Sequence, residues 1–98
     1  MIRVYVDMVA DLFHHGHVSF LEKARSFGDH LIVGVHSDPT VASYKRPPIM
    51  KMEERVACVR GCRFADEVIA DAPLVVGPDW IVQHRIDLVV HGDDFSPE

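Results

Sequence analysis

Three features of the sequence predict an α/β fold, a small parallel sheet with helices on both faces. Four runs rich in β-branched and apolar residues alternate with stretches of helical periodicity. One of those runs, Leu31-Ile32-Val33-Gly34-Val35, is apolar throughout, the pattern of a strand covered on both sides. A length of 98 residues gives room for one core, so a single domain over residues 1–98 is expected.

Ile2-Arg3-Val4-Tyr5-Val6 reads as the first strand, ending at Asp7 before an irregular stretch. From His17 onward Phe20, Leu21, Ala24 and Phe27 recur at helical spacing, and Gly28 stands at the stop position. After the second strand, Ser37-Asp38-Pro39 supplies a cap and a first-turn proline for a short helix to about Tyr44. Lys45-Arg46-Pro47-Pro48-Ile49 cannot prolong it, because adjacent prolines remove donors and force extended geometry, so a loop follows. Met52, Val56, Val59 and Cys62 mark one face of the next helix, with Glu53, Arg55 and Arg60 on the other. Glu67-Val68-Ile69-Ala70 is a short third strand, Pro78-Asp79-Trp80-Ile81-Val82 opens another helix, and Leu88-Val89-Val90-His91 is a fourth strand. Right-handed crossovers then give parallel strands near 2–6, 31–36, 67–70 and 87–91 in the order 3-2-1-4. Such a Rossmann-like sheet binds ligands at the carboxyl ends of its strands, after the first and fourth here.

Composition narrows the partners. Apolar residues make up 48% and charged residues 26%, an ordinary globular balance. A formal charge of −5 disfavours a non-specific nucleic-acid or anionic-membrane surface, so a bound anion needs a local site. With no membrane-spanning apolar run and no secretory segment, a cytoplasmic location is expected. Cys58 and Cys62 lie four apart on a helix, but no second ligand pair has zinc-site spacing, so core packing is their expected role.

The strand-to-helix turn His14-His15-Gly16-His17 carries the chemistry. A glycine there admits backbone close to a ligand, and the helix behind it presents free N–H groups and a positive dipole end to an anion. His14 and His17 flank it, where each ring can donate to a phosphate oxygen; the alternative is that they serve as helix cap and loop contact. Neither G-x-G-x-x-G nor the P-loop pattern occurs, which disfavours ordinary dinucleotide and P-loop folds. Trp80 offers a ring for stacking on a base, or a core anchor.

Asp11-Leu12-Phe13-His14-His15-Gly16-His17 resembles the H-x-G-H signature of the cytidylyltransferases within the nucleotidyltransferase superfamily. The likeness continues through Gly34-Val35-His36-Ser37-Asp38, Tyr44-Lys45 with Pro47-Pro48-Ile49-Met50, Glu53-Glu54-Arg55, Ala65-Asp66-Glu67-Val68-Ile69 and His91-Gly92-Asp93-Asp94. Asp66-Glu67-Val68-Ile69 with Ala72-Pro73 is most similar to the ethanolamine-phosphate branch, with the choline-phosphate and glycerol-3-phosphate branches close behind. The resemblance implies transfer of CMP from CTP to a phosphoalcohol, giving a CDP-alcohol and pyrophosphate, with Mg²⁺ accompanying CTP. The substrate's own phosphate is then the nucleophile. His14, His17 and Lys45 are implied as catalytic; Val9, Ala10, Asp11, Gly16, Arg46, Arg55, His91, Gly92, Asp93 and Asp94 are implied to line the nucleotide. Asp93 and Asp94 are also candidates to help hold Mg²⁺, although the metal ligands are not determined by the sequence. Lys45 and Arg46 form the local cationic patch a triphosphate needs, on a loop expected to be unpinned and able to reach His14.

Two departures touch the nucleotide floor. The family's glycine and aromatic ahead of the aspartate are replaced by Met8 and Ala10, which predicts weaker binding or turnover. The family's arginine, threonine and serine signature after a fifth strand has no counterpart before Glu98, so the expected fold lacks its last strand and helix. Either the sequence is a piece of a longer chain or the domain has lost part of its activity. The partners implied are CTP and a small phosphomonoester, with a homodimer as a further option. A non-catalytic nucleotide-binding or dimer-forming domain, or an adenylyltransferase of the same superfamily, are the competing readings.

Overall fold

The computed structural model describes residues 1–91, so Gly92, Asp93 and Asp94 lie outside the described residues. Eight elements follow among them: β1 (Arg3–Met8), α1 (His15–Arg25), β2 (His30–Val35), α2 (Asp38–Ala42), α3 (Met52–Arg60), β3 (Glu67–Ala70), α4 (Pro78–Gln83) and β4 (Leu88–Val89). Every strand pair is parallel and the order is β3-β2-β1-β4, as the crossovers require. The chain steps outward from β1 through β2 to β3 and then returns to the other side of β1, which puts the reversal of strand order beside β1.

The strand pleat divides the core in two. Val4, Val6, Leu31, Val33 and Val35 face Phe20, Leu21 and Ala24 of α1 and Val56 and Val59 of α3. Tyr5 and Ile32 point the opposite way, toward Trp80 and Ile81 of α4 and Ile86. Trp80 meets the Tyr5 ring edge-on at 6.1 Å, so it anchors the core. Gly34 is glycine for space: a Cβ there would strike the Tyr5 hydroxyl and come within 2.7 Å of the Ala72 Cβ. The strands are tied at their amino ends by aspartates. Asp29, Asp87 and Asp66 accept from the amides of Ile2, Arg3 and Leu31 at 2.7, 2.8 and 2.8 Å.

Several limits differ from expectation. β1 runs on to Met8 because Asp7 and Met8 pair with Gly34 and Val35. The first helix begins at His15 rather than His17, and Phe27 lies beyond its end, 48% exposed. β4 has two residues, since it pairs with β1 through Val4 and Tyr5 only. Cys62 packs in the core but Cys58 is exposed, which corrects the expectation that both serve as core; both are free thiols. Arg55, assigned by helical periodicity to the charged face of α3, is instead 0% exposed.

Candidate active site

The end of β1, the turn before α1 and the loop after α2 enclose an open cavity of ≈ 550 Å³ at the carboxyl ends of the strands. Met8, Val9, Ala10, Asp11 and His17 form one side, and Val41, Lys45, Arg46, Pro47, Pro48 and Ile49 the other. The turn is tight: Ala10 and Leu12 adopt φ of 60° and 50°, a left-handed conformation costly for residues with a Cβ and found where function or packing demands it.

The histidine pair is both helix cap and candidate ligand. His14, with φ of −146°, is the N-cap of α1; its Nδ1 accepts from the Gly16 amide at 2.9 Å. His17 Nδ1 accepts from the His14 amide at 3.0 Å, completing a reciprocal capping box. A ring nitrogen that accepts carries no hydrogen, so each imidazole holds its hydrogen on Nε2. One nitrogen of each ring is used by the fold and the other remains a donor. The rings lie 4.4 Å apart, and Phe13 stacks on His17 at 5.2 Å and 13°. Burial and then His14 push the His17 pKa down, against an opposing pull from Asp11, which favours its neutral, Nε2–H form. Gly16 sits under the cap, where an added Cβ would come within 2.8 Å of the His14 Cε1.

Asp11 lines the cavity, but its carboxylate accepts from the amides of Ile49 and Met50, both at 2.9 Å. Those two bonds hold its pKa below the usual carboxylate value. They also tie the far end of the loop, beyond Pro47 and Pro48, to the β1–α1 turn. Arg55 is tied more fully. Its Nε donates to Met50 O at 3.1 Å, and its Nη1 to Val9 O at 2.7 Å and His36 O at 2.8 Å. Its Nη2 reaches Asp38 Oδ1 at 2.6 Å. This buried guanidinium engages four groups from three segments, the β1–α1 turn, the β2–α2 junction and the loop before α3, so every nitrogen of its head is used in fixing them.

Lys45 and Arg46 stand on the exposed rim, with Lys45 Nζ 5.9 Å from the Tyr44 ring centroid. His91 is exposed just beyond β4 and does not line this cavity. Asp7, next to last in β1, and His36, just after β2, lie near the carboxyl ends of these strands without lining this cavity, and the sequence reading named neither as a site candidate. A polar residue near the carboxyl end of each of two apolar strands was the available signal. His36 is 6% exposed and its Nδ1 lies 2.9 Å from the Tyr44 hydroxyl, while its Nε2 lies 3.7 Å from Asp7 Oδ2. Among the described residues no group of three or more His, Cys, Asp or Glu could hold a metal ion.

A cavity at the switch point, two Nε2–H donors at a helix mouth and a cationic rim suit a phosphate-bearing nucleotide. The family model for cytidylyltransferase-like proteins matches residues 7–97. The chain belongs to that family. This cytidylyltransferase-like chain is 46% identical over 95 residues to the ethanolamine-phosphate cytidylyltransferase of Dictyostelium discoideum, a match covering 97% of the chain and 26% of that protein. The Arabidopsis thaliana ethanolamine-phosphate cytidylyltransferase is 47% identical over 102 residues, covering 97% and 24%. Choline-phosphate cytidylyltransferase A of Homo sapiens is 42% identical over 94 residues, covering 94% and 26%. The chain thus spans about a quarter of the length of these curated relatives. A solved structure described as a lipopolysaccharide core biosynthesis protein from Thermoplasma volcanium superposes with a TM-score of 0.81 at 27% identity, covering 91% of this chain and 72% of that one.

Proposed function

We propose that this domain transfers CMP from CTP to a phosphomonoester, phosphoethanolamine before phosphocholine, releasing pyrophosphate and a CDP-alcohol. The observation that carries this reading is the His14–His17 cap, which fixes both rings with Nε2–H free, next to a cavity rimmed by Lys45 and Arg46. An oxygen of the acceptor phosphate attacks the α-phosphorus of CTP; the new P–O bond forms as the bond to pyrophosphate breaks. Charge on the phosphoryl oxygens and the leaving group is met by preorganised donors and cations, and no protein nucleophile is required. The names of the relatives above supply the acceptor. Its ammonium needs a carboxylate; Asp7 suits it, since Asp7 stands one residue before the end of β1 with its side chain 22% exposed, whereas the Asp11 carboxylate is committed to the loop. Mg²⁺ is proposed to arrive with CTP. Among the described residues no group of three or more His, Cys, Asp or Glu lies together so as to hold it, so the phosphates of CTP would supply most of its ligands and no step is routed through it. The reaction is placed in the cytoplasm, where free thiols such as Cys58 and Cys62 persist; among the described residues no helix is long and apolar enough to cross a membrane. Met8 on the cavity wall favours a second reading, a domain that binds the nucleotide without turnover.

Calorimetry tests the first reading. CTP should bind better than ATP, and His14→Ala with His17→Ala should weaken CTP by more than about tenfold, since each bond to a charged group contributes about 1.5–3 kcal/mol. Unchanged affinity in the double variant would sink the role of the turn. Pyrophosphate release with CTP and phosphoethanolamine separates the two readings: release supports transfer, and binding without release supports the second.

A further inference from the structure

Lys45 and Arg46 ride on a strap from Ser43 to Met50 whose far end Asp11 fixes through the Ile49 and Met50 amides. Its near end has one side-chain tether to the body of the sheet, the Tyr44 hydroxyl on His36 Nδ1 at 2.9 Å. Between these points Pro47 and Pro48 have no N–H to give. Among the described residues no other side-chain hydrogen bond reaches residues 44–48, while the Lys45 amide donates back to Val41 O at 2.9 Å. His36 is a rigid post: it follows β2, is 6% exposed and meets the Tyr44 ring edge-on at 6.0 Å and 85°. Its Nε2 is buried without a hydrogen-bond partner and lies 3.7 Å from Asp7 Oδ2. A carboxylate so placed favours the tautomer with hydrogen on Nε2, which makes Nδ1 the acceptor and Tyr44 the donor.

We propose that Tyr44 and His36 are positioning residues for the transfer, the Tyr44–His36 bond setting Lys45 on the rim where the phosphates of the nucleotide bind, and Asp7 selecting the His36 tautomer that receives it. Lys45 carries a flexible stem, and a fixed backbone attachment reduces the conformational freedom it must surrender on meeting a phosphate. Its Nζ stays 5.9 Å from the Tyr44 ring centroid, so the anchoring residue also holds the cation above its ring. The contact of Lys45 with phosphate rests on the transferase reading; the tether does not.

The test variant is Tyr44→Phe, which removes one oxygen and keeps the ring. Hydrogen exchange of the Lys45 and Arg46 amides should quicken while the melting temperature holds, and nitrogen NMR should show His36 protonated on Nε2 in the unaltered protein. CTP affinity should fall about 3- to 10-fold, the size of one hydrogen bond, and that loss should vanish in a Lys45→Ala background. Losses that simply add would show that Tyr44 does not act through Lys45 and would overturn the proposal. So would unchanged exchange of the two amides, or a His36 ring carrying its hydrogen on Nδ1. Should the unaltered protein fail to bind CTP, the transferase reading falls and the proposed phosphate role of Lys45 falls with it. Exchange and the tautomer then still decide whether the tether exists.

Discussion

At His17 one ring is asked to serve the fold and the ligand together, and pH separates the two tasks. Its Nδ1 accepts the His14 amide, so a proton added there breaks the cap, and burial already lowers its pKa from the ordinary 6.5. The unfolded chain therefore takes up this proton before the folded one does. His17's contribution to stability is complete above pH 6.5, declines as pH falls through that value, and levels off below the folded pKa. An NMR titration of the free protein should place the His17 midpoint below 6.5, with an upward shift on adding pyrophosphate, whose charge stabilises the imidazolium. A free-protein midpoint at or above 6.5 would contradict the desolvated ring. The two functions were legible in the sequence only as alternatives, cap or ligand. Local spacing shows that His14 and His17 flank a glycine, but not that each fold contact consumes Nδ1 and spares Nε2.

Among the elements, α3 shows what periodicity conveys and what it conceals. Met52, Val56 and Val59 were readable as an apolar stripe because their burial follows the helical repeat. Arg55 beside them reads as surface charge, yet its acceptors come from three segments, with Val9 46 residues away and His36 and Asp38 19 and 17 away, so no helical window brings them together. Strand order was legible because alternation and crossover handedness leave few topologies, whereas the start of α1 was not, since histidine is not a favoured N-cap. Arg55→Met should leave three backbone carbonyls without their donor and cost at least about 3 kcal/mol in urea unfolding. Arg55→Lys should recover little of it, because an ammonium cannot reproduce the planar fork. A loss under about 1 kcal/mol for Arg55→Met would show that water replaces the guanidinium and that the hub is dispensable.

For the whole molecule, the open question is how a chain of net charge −5 attracts a triphosphate. With extents of 36 × 29 × 26 Å the molecule is wider than the Debye length of about 10 Å at 0.1 M salt, so charges on its far side are screened from the cavity. Lys45, Arg46 and the α1 mouth border the cavity and act inside that length, against the one lining carboxylate among the described residues, Asp11, whose charge is met by the Ile49 and Met50 amides. The two fields predict opposite signs for the effect of salt. If the net charge ruled, added salt would screen a repulsion and tighten CTP; if the rim rules, it screens an attraction and loosens CTP. The rim should win, with affinity falling severalfold between about 0.05 and 0.5 M KCl at fixed Mg²⁺. Lys45→Ala with Arg46→Ala removes the near cations while deepening the net negative charge, so the dependence should flatten or reverse in sign. Affinity of the unaltered protein that rises with salt would mean that Lys45 and Arg46 do not meet the phosphates, and that the histidine donors and the helix mouth bind CTP against the field of the whole.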